Sequence, residues 1–451
     1  MNESNTKALY QNPVYTQAFP DPFVLQFCGE YWAFCAGFWP DKRVFGVLHS
    51  KDLIHWHNLG GAMVVAPFAE EYSCYWAPEV IYANGKFYMY YSVGNEERMQ
   101  IRVSVADHPA GPYVDSGYQL TKEEFAIDAH VFTDTDGQRY LFYATDFLTH
   151  THIGTGTVCD QMIDLFTLAG NARPVTRAHM IGKFMIPQRA EKKASAGIRS
   201  RGPTVLKHKG RYYQMFSGGN WKNLSYGVSY ASSENIETVD EWKQVADGER
   251  VLPILRTVPG SVIGPGHNSV IRGPDNRQLF CVYHFWPPGS TDRVMAVDRL
   301  EWAGERLIII GPTVEPQPAP LVPSFAHDFN RQGSLELDWK VGSGDAQWEV
   351  RRGELFVSGH SQGMAEAVCR FEGASFLLEV SARSTAAHQH GGYGLSLTNG
   401  QEGIFRALII PESHQAAVRL DARRQRQRKL GHASLGSSRG LQRGSMASLA
   451  A

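Results

Sequence analysis

With 451 residues, the chain is long enough for a large all-β domain and a smaller companion, each with its own apolar core. Its 44 Lys and Arg balance 45 Asp and Glu, so no global charge favours nucleic acid or an anionic membrane, and a neutral, polar ligand fits better. Six cysteines stand without C-x-x-C spacing, which suits buried thiols rather than a disulfide framework or a zinc site.

The segment Met1 to Lys7 is polar and leads into no apolar run, and no stretch approaches membrane-spanning length. The chain is therefore expected in the cytoplasm, with neither a membrane nor a nucleic acid as partner. The first predicted strand opens at Asp21-Pro22-Phe23-Val24, and a turn at Gly29 leads into the aromatic strand Tyr31-Trp32-Ala33-Phe34. The same pair returns as Ala77-Pro78-Glu79-Val80 with Phe87-Tyr88-Met89-Tyr90 after Gly85. It returns again as Asp128-Ala129-His130-Val131 with Tyr140-Leu141-Phe142-Tyr143 after Gly137. A fourth copy joins Arg201-Gly202-Pro203-Thr204-Val205 to Tyr212-Tyr213-Gln214-Met215-Phe216 after Gly210. The fifth joins Gly266-His267-Asn268-Ser269-Val270 to Leu279-Phe280-Cys281-Val282-Tyr283 after Asn276.

A hairpin that recurs five times at blade-sized spacing predicts a five-bladed β-propeller over residues 12–323. Asp and Pro also favour strand-opening turns on their own account. Five such openings in phase point instead to equivalent positions around one axis, where Asp21 and Asp128 meet although distant in sequence. The run from Gly311 to Pro320 is proline-rich and reads as a linker or as the strap that closes the ring. Alternating stretches at 348–351, 355–357, 376–380 and 393–397 predict a β-sandwich-like accessory domain over 324–417, whole or truncated. From 418 to 451 the chain is rich in Arg, Gln, Ser, Gly and Ala, without interleaved aromatics, and reads as a disordered basic tail or as sequence foreign to the sandwich.

Glycosidic bond hydrolysis uses two carboxyl groups, one to protonate the leaving oxygen and one to activate water or attack carbon. Asp21 is the candidate base. Asp128 is placed to orient that machinery or to raise a neighbouring acid's pKa by like charge. Trp76, directly before Ala77, either covers a sugar face or belongs to the core. Arg293 opens the last strand before the strap, reaching the site or standing as a surface charge. His267 points along the axis if it is equivalent to Asp21, as a packed core residue or a metal ligand.

Together these stretches resemble glycoside hydrolase family 43, whose members include β-xylosidases, α-L-arabinofuranosidases and arabinanases. The likeness runs from residue 12 to about residue 323 and includes Asn12-Pro13-Val14, Pro20-Asp21-Pro22, Ser50-Lys51-Asp52-Leu53-Ile54-His55-Trp56, Trp76-Ala77-Pro78-Glu79, Ile127-Asp128, Gly264-Pro265-Gly266-His267-Asn268 and Tyr283-His284. The resemblance implies an inverting hydrolase of arabinofuranosyl or xylosyl substrates, with Asp21 as general base and Asp128 tuning the acid. No cofactor is then required for the reaction, and His267 matches an axial histidine that in many members lies at a calcium or sodium site.

The family's general acid is a Glu before Gly-Pro, and here Arg201 stands in that place. An arginine does not release a proton near neutral pH. Glu191, in the basic stretch that precedes it, is one alternative acid, and a local sequence change over 184–201 is another explanation. The rival from a different class is a propeller that binds carbohydrate without cleaving it. A fructoside-cleaving relative is disfavoured, because the opening Trp-Met-Asn-Asp-Pro-Asn-Gly is missing.

Overall fold

The computed structural model describes residues 8–65, 74–147, 154–177, 198–237, 242–247 and 250–323. Beyond these it describes the strands at 339–341, 347–351, 354–358, 367–369, 393–398, 403–410 and 415–419. Among the described residues every regular element is a β-strand.

Five antiparallel blades follow one another. Blade 1 runs through Phe23–Phe27, Glu30–Phe34, Arg43–Ser50 and His57–Val64, and blade 2 through Cys74–Ala83, Lys86–Gly94, Met99–Ala106 and Val114–Gln119. Blade 3 consists of Ala126–Thr133, Arg139–Phe147, Gly154–Gln161 and Arg173–Thr176. Blade 4 takes Ile198–His208, Arg211–Gly218, Gly227–Ser233 and Lys243–Gln244, and blade 5 Ile263–Arg272, Leu279–Trp286, Val294–Ala303 and Arg306–Ile310. The aromatic runs read from the sequence are the second strand of each blade. The turns before them need a left-handed residue, which Gly29, Gly85, Gly137, Gly210 and Asn276 supply, all at positive φ.

The apolar core is divided among the blade interfaces. Phe34, Phe45, Tyr75 and Tyr91 pack between blades 1 and 2, and Tyr90, Ile101, Leu141 and Tyr143 between blades 2 and 3. Phe142 and Phe216 lie between blades 3 and 4, Met215 and Tyr283 between blades 4 and 5, and Tyr31, Leu48, Val282 and Val297 between blades 5 and 1. Each fully buried side chain of this size contributes roughly 1.5–3 kcal/mol. Alternation along the second strands sends one face of a blade to each neighbour, so in a ring of such blades both faces of these strands are covered.

The N-terminal segment closes the ring on blade 5. Leu9–Tyr10 pairs with Gln317–Pro318, and the proline-rich run is therefore the strap rather than a linker. The Val14 N–H donates to the Met295 carbonyl at 3.0 Å and the Phe19 N–H to that of Arg293 at 2.8 Å.

The chain divides into two compact units, the larger taking Met1–Leu321 with Ser384–Ser445 and the smaller Val322–Arg383 with Met446–Ala451. In the C-terminal region Trp339–Val341 pairs with Ala367–Cys369, Gln347–Arg351 forms a hairpin with Glu354–Ser358, and Tyr393–Thr398, Gly403–Ile410 and Gln415–Arg419 form a three-stranded sheet. The rest of the expected sandwich, the stretch 184–197 with Glu191, and the tail from 420 lie outside the described residues.

Candidate active site at the propeller axis

The inner strand of every blade opens on a residue in the left-handed region: Asp21 at φ 53°, Ala77 at 44°, Asp128 at 61°, Gly202 at 57° and His267 at 49°. Pairing with the second strand slips at this point in blades 2 to 5, between Trp76 and Glu79, Ile127 and His130, Arg201 and Thr204, and Gly266 and Ser269. In these four blades the opening is thus a bulge that re-aims one side chain. Four of the five positive-φ residues are not glycine, a strained choice of the kind that clusters at functional sites.

The freed backbone N–H groups are caught by the preceding blade. The Asp128 N–H donates to Ser92 Oγ at 2.9 Å, the His267 N–H to Ser217 Oγ at 2.7 Å, and the Asp21 N–H to His284 Nδ1 at 3.1 Å. Two residues further along the inner strands a second layer of bonds joins the blades. Glu79 Oε2 lies 2.8 Å from His130 Nδ1, and the Val205 N–H donates to His130 Nε2 at 3.0 Å, so the proton between His130 and Glu79 sits on Nδ1. Thr204 Oγ1 donates to the Asn268 carbonyl at 2.6 Å and Ser269 Oγ to that of Pro22 at 3.1 Å. From blade 1 to blade 2, Phe23 packs against the shared apolar cluster and the Gly37 N–H donates to the Tyr75 carbonyl at 2.8 Å.

Asp21 Oδ1 receives Arg293 Nη1 at 2.8 Å and lies 3.4 Å from His267 Nδ1. Burial works to raise the Asp21 pKa, but Arg293 and then His267 outweigh it and hold the carboxyl well below the usual carboxylate range. His284 is fully buried, and burial followed by the Arg293 charge pushes its pKa down to about 4. Its imidazole is therefore neutral at pH 7 and accepts the Asp21 N–H, so the 3.3 Å approach of Nδ1 to Asp21 Oδ1 is not an ion pair. The ring is stacked on Tyr226 at 5.9 Å, and its Nε2 is buried and, among the described residues, has no hydrogen-bond partner.

Asp128 behaves oppositely. Burial, aided by the Asp21 charge, raises its pKa, against the opposing effects of His267, Arg201 and the Gly202 N–H, which donates to Oδ2 at 3.0 Å. The pKa values of two carboxyl groups at one axis are thus driven apart, Asp21 downward by its cationic neighbours and Asp128 upward by burial. The backbone approach that permits this requires glycine. A Cβ on Gly266 would stand 2.2 Å from the Tyr226 ring, and one on Gly202 would press on His267 at 3.2 Å.

The structure therefore gathers Asp21, Asp128, His267 and Arg293. Trp76 holds the ring position just before Ala77 and packs partly against the cluster of Cys74, Met99, Ile127 and Ala144. Four further aromatic and imidazole neighbours were not singled out from the sequence. Trp221 lies under the Arg293 guanidinium at 4.5 Å and is stacked with Trp286 at 5.9 Å, whose indole N–H donates to the Trp221 carbonyl at 2.8 Å. Phe38 is exposed and edge-on to Tyr75 at 5.3 Å, next to Trp76. His284 was visible only as part of a Tyr-His pair. Trp221, Trp286 and Phe38 share one signal, since each lies at or beyond the end of a second strand, on the face where the inner strands open.

Among the described residues no three His, Cys, Asp or Glu converge as they would on a metal ion. The His267 imidazole faces Asp21, and calcium prefers an oxygen cage of six or more ligands. Among the described residues, the side chains around His267 do not by themselves supply such a cage for calcium or sodium.

Comparison with known proteins agrees with this geometry. Residues 10–306 match the pattern of Glycosyl hydrolases family 43. A β-D-galactofuranosidase of Aspergillus niger is 28% identical over 327 residues, which cover 67% of this chain and 85% of that protein. A β-xylosidase of Bacillus subtilis is 24% identical over 366 residues, 72% of this chain and 58% of that protein. The crystal structure of a thermostable family-43 glycoside hydrolase superposes with a TM-score of 0.59 at 30% identity, covering 70% of this chain and 100% of that one. A match that spans the propeller up to its last strand, and a solved relative that superposes over its full length, make this chain a member of glycosyl hydrolase family 43, with a carbohydrate as its substrate.

Proposed function

We propose that the chain hydrolyses arabinofuranosyl or xylosyl ends of plant-type oligosaccharides with inversion at the anomeric carbon. The observation that carries this reading is the ionised Asp21, fixed by Arg293 at 2.8 Å and opposed by a more readily protonated Asp128. In this reading Asp21 removes a proton from the attacking water, and Asp128 keeps the ring of charge around it in balance. Arg293 holds the base in place, while Trp76 and Phe38 flank the sugar with apolar surface. Relatives named as a galactofuranosidase, an exo-arabinofuranosidase and a β-xylosidase support a small sugar at a chain end.

Proton NMR of the first product formed from an aryl arabinofuranoside or xyloside tests it. Expected is the anomer opposite to that of the substrate, whereas the same anomer contradicts the assignment of Asp21 as a base acting on water. Arg201 in the ring favours a second reading, a propeller that binds such sugars without turnover. Calorimetric binding of a xylo- or arabino-oligosaccharide with no product from any aryl glycoside decides for it.

A further inference from the structure

We propose that Arg201 makes the site selective for glycosides whose leaving group departs as an anion, its guanidinium stabilising the departing oxygen in place of a proton donor. This rests on the hydrolase reading above and adds to it the class of bond that is cleaved.

The position comes first. Arg201 and Trp76 are equivalent: each immediately precedes the left-handed residue of its inner strand, Gly202 or Ala77, and each pairs with a serine of the second strand, Ser217 or Ser92. Arg201 therefore stands in the same ring around the axis as Trp76. Its charge is close enough to act on both Asp128 and Tyr226. The second observation is an unused donor. Arg201 Nε is buried and, among the described residues, has no hydrogen-bond partner.

The third observation concerns the carboxyl groups. Asp21 is engaged by Arg293, and one oxygen of Asp128 already accepts the Gly202 N–H. These are the two carboxyl groups that the five strand openings bring to the axis. An arginine keeps its protons through the working range of pH, so it cannot transfer one to a leaving oxygen. A fixed positive charge with a free N–H does stabilise negative charge that develops nearby, most effectively away from water.

The step then balances without a protein acid. Asp21 takes a proton from water as the water oxygen bonds to the anomeric carbon. The bond from that carbon to the leaving group breaks, and its electron pair leaves with the group, paired to Arg201. The proton on Asp21 returns to solvent. Phenolates with electron-withdrawing groups, phosphate and fluoride satisfy this requirement, while a sugar or alkyl alcohol does not.

The test is a leaving-group series on one sugar, arabinofuranose or xylose, from the dinitrophenyl through the nitrophenyl and phenyl to the methyl glycoside. It is run with the full chain and with Arg201→Ala and Arg201→Glu. Expected for the unaltered chain is a steep fall in kcat/KM as the leaving group becomes less acidic, by about 10²-fold or more, the size of a general acid's contribution. Arg201→Ala is expected to slow the dinitrophenyl glycoside about 10²-fold or more, in line with loss of one charge-stabilising group. Arg201→Glu is expected to flatten the series.

Equal turnover of the methyl and dinitrophenyl glycosides overturns the selectivity and leaves the hydrolase reading standing. An unchanged dinitrophenyl rate in Arg201→Ala removes the guanidinium from the step. Absence of turnover across the whole series overturns both readings together. If Arg201→Glu fails to fold, the unaltered chain and the alanine variant still decide.

Discussion

In the proposed reaction Asp21 is the residue on which the chemistry turns, and its charge is set by its neighbours rather than by exposure. Burial alone favours the neutral acid, yet Arg293 at 2.8 Å and His267 at 3.4 Å reverse that preference. Because the folded-state pKa is depressed, Asp21 contributes stability above its unfolded value of about 3.9, and that contribution is lost as pH falls through the folded value. Activity that needs the carboxylate shares this lower limit. Arg293→Met removes the main lowering influence and lets the Asp21 pKa rise. Expected is an acid limb of the kcat/KM profile displaced to higher pH, and an unmoved limb contradicts the role given to Arg293. The substitution also frees one face of Trp221, now covered by the guanidinium at 4.5 Å, so KM is the second readout. None of this coupling is visible along the chain, since Arg293 and Asp21 lie 272 residues apart.

Among the elements, the inner strands place the site and the third strand of blade 5 holds the ring shut. Asp298, on that strand, is fully buried. It accepts from Tyr283 OH at 2.7 Å, Gln317 Nε2 at 2.8 Å, Asn12 Nδ2 at 3.1 Å and the Thr313 N–H at 3.3 Å. One carboxyl group thus ties both ends of the propeller to blade 5. Burial is the largest influence on it and raises its pKa to about 6 in spite of these donors. A raised carboxyl pKa favours the folded state at low pH. Its contribution is fully present below the unfolded value of about 3.9 and is lost as pH rises through about 6, a change of about 3 kcal/mol. Denaturant unfolding of the protein and of Asp298→Asn at pH 4.5 and pH 8 isolates this effect. Expected is a stability gap between the two proteins that changes with pH, and a constant gap contradicts it.

The sequence made the strand openings legible as positions, because Asp-Pro, Ala-Pro and Gly-Pro punctuate them. Their left-handed conformation was not legible, since Asp21, Ala77, Asp128 and His267 give no local reason for positive φ. That conformation is imposed by the bulge and by bonds to the preceding blade, such as Asp128 N–H to Ser92 Oγ.

At the largest scale, the propeller is a cyclic repeat in which each blade hands an apolar face to the next and a polar bond to the next inner strand. A fold of this kind can be read from sequence because each hairpin carries its own aromatic alternation and its own turn residue. The walls of the site cannot be read that way. Phe38 and Trp221 come from connections, and Trp286 from a strand end, whose shape depends on the neighbouring blade, as in the indole bond from Trp286 to the Trp221 carbonyl across 65 residues. Arg201 shows the opposite case, a residue whose position was legible and whose consequence follows from chemistry, since no rearrangement makes a guanidinium an acid at neutral pH. The convergence of five strand openings on Asp21 is tested most directly by measuring kcat/KM of the protein and of Asp21→Asn on dinitrophenyl arabinofuranoside and xyloside, with circular dichroism to confirm the fold. Expected is a loss of about 10²-fold or more with the propeller intact, as removal of a general base requires. A variant that folds and retains activity within a few-fold of the parent contradicts Asp21 as the base.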